Sequence, residues 1–354
     1  MAMATYRIAA IDGDGIGPEV MVQARKALAA AAHRFKFEVD YTHFDLGGSR
    51  YLSTGEVLPD EELAEIRNHD AILLGAVGTP DVPPGVLERG LLLRIRFEFD
   101  QYVNLRPVKL YDGVPTPIAG LTPDRCDLVV VRENTEGSYV GTGGFLRKNT
   151  PHEIATQNSI NTRHGVERVI VNAFERATKR NNKLTVAHKT NVMNFAGDLW
   201  WRTAQEVAPQ FSNVELEYVH VDALCLHMIN TPERYDVIVT DNLFGDIITD
   251  LGAAIQGGLG MAASGNINPA HGTPSMFEPV HGSAPDIAGN GWANPVAAVL
   301  SAAMCMEDFD EYEAAGALEA AATSVLPELA SMGGPDMGMS TDQIGDLIAE
   351  RVAG

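Results

Sequence analysis

Two aspartates four positions apart, Asp246 and Asp250, stand in the stretch YDVIVTDNLFGDIITD that runs from Tyr235 to Asp250. Val237, Ile238 and Val239 form a short β-branched run suited to a buried strand, and Thr240-Asp241-Asn242 leads it into a segment with helical spacing. Residues four apart share a helix face, so the two carboxylates lie side by side while Ile247, Ile248 and Leu251 are expected to turn towards a core. Like charges so placed repel unless a cation lies between them. A hard divalent ion answers that need, since Mg²⁺ takes one or two carboxylates plus oxygens of a substrate. The alternative reading of the pair is a solvated acidic helix turn, favoured by the helix dipole.

Arginines supply the opposite charge. Arg94, Arg96 and Arg106 are close in sequence, and Arg132 ends the strand-like run from Asp127. Guanidinium groups grip carboxylates in a bidentate fork, so several that converge can hold a di- or tricarboxylic acid. Each could instead pair with a nearby acid such as Glu88, Glu98 or Asp100. The chain has 47 acidic and 26 basic residues and a net charge of −21, which opposes broad contact with nucleic acid or an anionic membrane. Its three cysteines, Cys126, Cys225 and Cys305, are scattered and odd in number, so neither a disulfide framework nor a CxxC metal site is indicated. A reducing cytoplasm fits that usage. The opening MAMATYRIAAIDG has no apolar signal core, and no run reaches the roughly 18 apolar residues of a membrane span.

The elements that must position these groups follow a β-α-β-α rhythm. A strand from Tyr6 to Ile11 meets a glycine cluster, Gly13 to Glu19, and then a helix through Val20 to Ala32 with Pro18 at its start. A dinucleotide fingerprint needs a small residue where Pro18 stands, so this is not an ordinary Rossmann turn. Strand-like Phe37 to Phe44, helical Pro59 to His69 and strand-like Ala71 to Leu74 continue the pattern, which argues for open α/β sheets. Residues 133 to 160 read as hairpin strands and mark a change of character. Strands at Leu184 to His188 and Val214 to Val221 then alternate with helices up to Tyr235, and three helices close the chain. The length suggests two domains.

Six motifs carry a resemblance across nearly the whole chain: GDGIGPE at 13–19, NLRP at 104–107, RENTEG at 132–137, HKTNV at 188–192, TDNLFGDIITD at 240–250 and EPVHGSAPDIAG at 278–289. Together they resemble the β-decarboxylating dehydrogenases, which comprise isocitrate, 3-isopropylmalate, homoisocitrate, and tartrate or D-malate dehydrogenases. The pattern is most similar to the isopropylmalate branch, while RENTEG and FDQYVNLRP also resemble the tartrate and D-malate enzymes. The resemblance implies a two-domain α/β fold with residues 1–102 plus 258–354 in the first domain and 103–257 in the second. It also implies a homodimer with shared active sites, and oxidation of a 2-hydroxy dicarboxylic acid by NAD⁺ followed by loss of CO₂.

Each chemical step needs groups that the resemblance assigns. Removing the hydroxyl proton needs a base and a Lewis acid at that oxygen. Lys189 matches the base, and Asp222, Asp246 and Asp250 match the ligands of Mg²⁺ or Mn²⁺, with Asp222 supplied by the other subunit. Tyr139 matches the acid that protonates carbon after CO₂ leaves. Arg96, Arg106 and Arg132 match the arginines that grip the substrate's carboxylates, and alignment on NLRP selects Arg96 over Arg94. Glu88, Leu92 and Leu93 match the helix that recognises the substrate's side chain, although the leucines could equally be helix core. Asp222 could simply cap a short helix.

For the cofactor, His281, Gly282 and Asn294 match residues that hold the adenine half, Ile16, Ser283 and Ala284 match further cofactor contacts, and Glu278 lies towards the nicotinamide. Asp286 followed by Ile287 stands where NADP-dependent relatives have lysine and tyrosine. A carboxylate accepts hydrogen bonds from free ribose hydroxyls and repels a 2′-phosphate, so NAD is expected. A silent sensor of dicarboxylate and NAD is the remote alternative. It would have no need of Lys189 or Tyr139.

Overall fold

The computed structural model describes residues Met3 to Gly354. The first strand, β1 (Ala4–Gly13), pairs in parallel with β2 (Phe37–His43) and β3 (Ala71–Ala76), and α1 (Gly17–Phe35) makes the crossover. Pro18 sits in the first turn of α1, where its missing N–H would be unpaired in any case. Two short helices, α2 (Gly48–Thr54) and α3 (Asp60–Ile66), precede β3. A π-helical turn, Glu88–Leu92, runs into α4 (Leu93–Glu98). Then come β4 (Val103–Lys109) and β5 (Asp127–Glu133), followed by an exposed hairpin of β6 (Gly143–Leu146) and β7 (Ile154–Gln157).

The middle of the chain alternates α5 (Arg163–Thr178), β8 (Lys183–His188), α6 (Asn194–Val207), β9 (Glu215–His220), α7 (Val221–Asn230), β10 (Val237–Thr240) and α8 (Asn242–Ile255). Strands β11 (Ala263–Ile267) and β12 (Ser275–Pro279) return the chain to the first strands, and α9 (Val296–Asp308), α10 (Tyr312–Ser324) and α11 (Thr341–Ala353) pack there. Among the described residues no helix is long and apolar enough to cross a membrane.

Ten strands form one open sheet in the order β2-β1-β3-β12-β11-β4-β5-β10-β8-β9. β4 runs antiparallel to β5 and β11, and β11 antiparallel to β12, while every other pair is parallel. This mixed α/β sheet agrees with the expected isopropylmalate/isocitrate dehydrogenase-like fold and differs from an ordinary Rossmann sheet. The strands from 1–102 and 258–354 fill one half, and those from 103–257 fill the other. The halves meet where Asn266 of β11 stands opposite Asn104 of β4.

Alternation along β4 gives its two faces separate work. Arg106 and Val108 point to α8, where Val108 packs against Gly252, while Lys109 lies on the opposite face and pairs with Glu319 of α10. One expectation needs correction. Ile248 is fully buried, but Ile247 is 54% exposed and Leu251 only half-buried. A helix turns by about 100° per residue, so the step from Ile248 to Ile247 carries the side chain off the narrow stripe that meets the sheet.

Candidate active site

Helix α8 organises the site. Asp241 caps it by accepting from the Phe244 N–H at 2.7 Å, which stabilises the end from which the functional face projects. That face carries Asn242, Asp246, Thr249 and Asp250, at helical offsets of zero, four, seven and eight. Beneath it runs Arg132, 1% exposed. Its Nε and Nη2 donate to Asn242 Oδ1 at 3.1 and 2.8 Å, and its Nη1 donates to Asp246 Oδ1 at 2.5 Å. Gly245 makes this crossing possible, because a Cβ there would lie 2.4 Å from Arg132 Cγ.

Arg106 donates from Nε to Asn104 Oδ1 at 2.8 Å and from Nη1 to Thr249 Oγ1 at 3.1 Å, with Asp250 Oδ1 3.9 Å away. Arg96 reaches across from α4 to Glu278 Oε1 at 3.0 Å. Burial, helped by the charges of Arg132 and Arg96, lowers the Arg106 pKa to about 10. Three guanidiniums therefore converge on one site. Arg94, only two positions from Arg96, turns away to Leu58 O and Asp60.

The two aspartates of α8 are driven apart by this field. Burial alone would raise the Asp246 carboxyl, but Arg132 and Arg106, with hydrogen bonds from Tyr139 and Arg132, hold it below its ordinary range. Asp250 is raised by burial and by the charge of Asp246, which the arginines only partly offset. A carboxylate pushed up by its neighbour gains from a shared cation. Tyr139 donates its hydroxyl to Asp246 Oδ2 at 3.1 Å and lies under the Arg132 guanidinium, 5.3 Å from ring centroid to Cζ. Its phenol is raised by burial first; Arg132 opposes this and Asp246 reinforces it.

Lys189 and Asp222 lie apart from this cluster. Lys189 Nζ pairs with Asp222 Oδ1 at 2.5 Å, and that hydrogen bond holds the exposed Asp222 carboxyl below its usual range. Asp222 sits inside the first turn of α7 and does not cap it, since the N-cap position is His220. Among the described residues no group of three or more His, Cys, Asp or Glu side chains can hold a metal ion. One chain thus presents Asp246 and Asp250 together and Asp222 elsewhere. His188, fully buried between Trp200 and Phe244, places Nε2 3.3 Å from Asp241 Oδ2, so the end of β8 before Lys189 packs beside the cap of α8.

The glycine cluster after β1 docks against the loop after β12. Ile16 N–H donates to Ser283 O at 2.8 Å, and a Cβ on Gly15 would lie 1.9 Å from that oxygen, so only glycine permits the contact. Asp14 stiffens the cluster by accepting from the Gly48 and Gly78 N–H groups. Burial lowers the His281 pKa, its Nδ1 lies 3.0 Å from Gly282 O, and its Nε2 is buried without a partner. That orphaned nitrogen, the open space around Gly282 and the exposed Asp286 suit a nucleotide.

Ala284 has a left-handed backbone with φ 39°, and Ile287 packs partly into the core. Asn294 is occupied within its own chain, donating to Met332 O and accepting from the Val296 N–H. The glycine- and methionine-rich segment 332–339, which has no motif, acts as a buttress here, with Gly334 N–H bonded to Trp292 O and Met337 buried.

In the π-helical turn and the start of α4, Glu88 is exposed, Leu91 belongs to the core, Leu92 is half-buried against that core, and Leu93 is half-buried. Sequence reasoning does not single out Asn242, Thr249 and Asn104, which accept from the arginines, or Asn266, which bonds Asn104 and Glu278. For the first two a signal is present, since they share the helical face of Asp246 and Asp250.

The model of the isocitrate/isopropylmalate dehydrogenase family matches residues 7–348. The chain belongs to this family. It is 57% identical over 354 residues to the 3-isopropylmalate dehydrogenase of Thermobifida fusca (strain YX), covering 100% of this chain and 99% of that one. It is 55% identical over 343 residues to the 3-isopropylmalate dehydrogenase of Mycobacterium tuberculosis (strain ATCC 25618 / H37Rv), covering 97% and 99%. Among solved structures, isocitrate dehydrogenase from Methylococcus capsulatus superposes with a TM-score of 0.87 at 35% identity, covering 99% of this chain and 100% of that one. The matched span includes every strand from β2 to β12 and all of α8.

Proposed function

We propose that this family member oxidises and decarboxylates (2R,3S)-3-isopropylmalate to 4-methyl-2-oxopentanoate and CO₂, with NAD⁺ as oxidant, as a cytoplasmic homodimer. The observation that carries the chemistry is the convergence of Arg96, Arg106 and Arg132 beside Asp246 and Asp250. A dianionic substrate needs that many fixed cations in an otherwise acidic protein. The identity to relatives named for isopropylmalate supports the choice of substrate.

Arg96, Arg106 and Arg132 grip the two carboxylates and orient the carbinol carbon. Ile16, His281, Gly282, Ser283, Ala284, Asp286, Ile287 and Asn294 would hold NAD, with Glu278 towards its nicotinamide, and Asp222, Asp246 and Asp250 would hold Mg²⁺ or Mn²⁺. Bound there, NAD would supply the hydride acceptor, and the cation would supply Lewis-acid stabilisation of negative charge on the substrate oxygen. Lys189 takes the hydroxyl proton as a neutral amine, a form that a neighbouring dication favours by repelling the ammonium charge. Tyr139, kept protonated by its raised pKa, returns a proton to carbon after CO₂ departs. Leu92 and Leu93 would contact the isopropyl group, where each buried methylene is worth about 1–3 kcal/mol.

What one chain leaves uncovered supports the dimer. Leu226 and Ile229 of α7, Leu243 and Ile247 of α8, and Phe195, which is 94% exposed, present large apolar side chains to solvent. A second copy covering them would bring its Lys189 and Asp222 to this chain's Asp246 and Asp250. The two halves of the sheet are then the two domains, joined at β11 and β4.

Initial rates of NADH formation with Mg²⁺ or Mn²⁺ test the reading. At equal concentrations, kcat/KM for 3-isopropylmalate is expected to exceed that for D-malate, tartrate and isocitrate by about 100-fold, from the loss of the isopropyl contacts. A preference for D-malate or tartrate would overturn the choice of substrate.

The cofactor assignment makes a separate prediction. Asp286→Lys combined with Ile287→Tyr is expected to move the NADP-to-NAD ratio of kcat/KM upwards by about tenfold to a hundredfold, because a repelling carboxylate gives way to a cation. An unmoved ratio would place the adenine ribose elsewhere.

A further inference from the structure

A line of buried polar groups runs behind the arginines, across the strand pair that joins the two halves of the sheet. Arg96 Nη2 donates to Glu278 Oε1 at 3.0 Å, and Asn266 Nδ2 donates to the same oxygen at 2.8 Å. Asn266 Oδ1 accepts from Asn104 Nδ2 at 2.9 Å and from Asn134 Nδ2 at 3.0 Å. Asn104 Oδ1 in turn accepts from Arg106 Nε at 2.8 Å. Asn104, Asn134 and Asn266 are wholly buried.

The direction of this line is set at both ends. A guanidinium only donates and an ionised carboxylate only accepts, so neither amide can flip without placing donor against donor or acceptor against acceptor. Asn266 is the joint, since it alone touches both the Glu278 branch and the Asn104 branch. It also sits at the seam, because Arg96 and Glu278 belong to the half of the sheet built from 1–102 and 258–354, and Arg106 and Asn104 to the other. Arg96 has no second anchor, as its Nε is buried without a partner, so its guanidinium follows Glu278.

We infer that Asn266 is a positioning residue that sets Arg96 and Arg106 at the separation required by the two carboxylates of the substrate. The inference rests on the dehydrogenase reading above. Without the amide, Glu278 loses a donor and is free to rotate with Arg96, while Asn104 keeps only Ser264 Oγ as an acceptor for Nδ2. Carboxylate binding suffers most, because two of its arginines depend on the line, whereas NAD has in it only Glu278 at the nicotinamide end and keeps the adenine loops, which lie outside it.

The test measures KM for 3-isopropylmalate and for NAD, together with Tm, in full-length Asn266→Ala, Asn266→Ser and, as control, Asn268→Ala. Asn268 is a buried amide just past the end of β11, but it bonds Phe99 O and Thr273 instead. Asn266→Ala is expected to raise KM for the hydroxy acid about tenfold with KM for NAD within about twofold, the loss of one buried hydrogen-bonding group. Asn266→Ser, whose shorter side chain spans the joint poorly, falls between it and the wild type, and carries the test if the alanine variant does not accumulate. Asn268→Ala should lower Tm without splitting the two KM values. The inference is overturned if the Asn266 variants shift KM for the hydroxy acid no more than the control, or raise both KM values together. A wild type that oxidises no hydroxy diacid overturns the dehydrogenase reading instead.

Discussion

Mixing two inactive variants, Lys189→Met and Asp246→Asn, is expected to restore about a quarter of the wild-type activity per total site after subunit exchange. Each variant alone should lose on the order of 10³-fold or more in kcat. In the proposed reaction the first lacks the group that would take the hydroxyl proton, and the second lacks a charge that pairs with Arg132 and would hold the cation. In one chain Lys189 is bonded to Asp222 and not to the carboxylates of α8. If each site takes Lys189 and Asp222 from one copy and Asp246 and Asp250 from the other, a mixed dimer has one site with both defects and one with none. Random pairing makes half the dimers mixed, which yields the quarter. The measurement is NADH formation before and after exchange, with the assembly state followed by light scattering. Dimers that exchange but stay inactive would sink the shared site, because a site built within one chain cannot be repaired by mixing.

Arg132→Met is expected to reduce kcat/KM by about 10²- to 10³-fold, the equivalent of the 2–5 kcal/mol typical for truncating one partner of a buried charge pair. Arg132 donates to Asn242 and Asp246 at once, so its removal leaves two acceptors unpaired and withdraws the main charge holding Asp246 ionised. Arg132→Lys should recover little of that loss. An ammonium can place a charge in the gap but cannot span Asn242 and Asp246 as the planar fork does. Steady-state kinetics of both variants decide the point, with Tm measured alongside. A lysine variant within about threefold of wild type would mean that charge alone suffices there and that the fork geometry is incidental.

Local chemistry makes much of this protein legible in its sequence. The strand-to-helix passage at Val237 to Asp250 appears as β10 and α8, because β-branched residues suit a buried strand and Asp241 is a natural cap. The glycines at 13 to 17 signal close backbone approach, and Gly15 indeed lies against Ser283. Helical spacing alone pairs Asp246 with Asp250.

What lies beyond the sequence is the set of relations between distant segments. Ile247 and Ile248 are equally apolar, yet only Ile248 meets the sheet, since the width of the buried stripe depends on what packs against it. Nothing in composition links Asn104 to Asn266 or Glu278 to Arg96; the sheet order, with β11 beside β4, makes those contacts. Arg94 and Arg96 are the same residue type on one short helix, and only the tertiary structure sends one to Asp60 and the other into the site. By itself the sequence determined the kinds of groups available and the faces they share on each element. The folded chain decided which of them meet, because long-range pairing depends on how helices and strands stack.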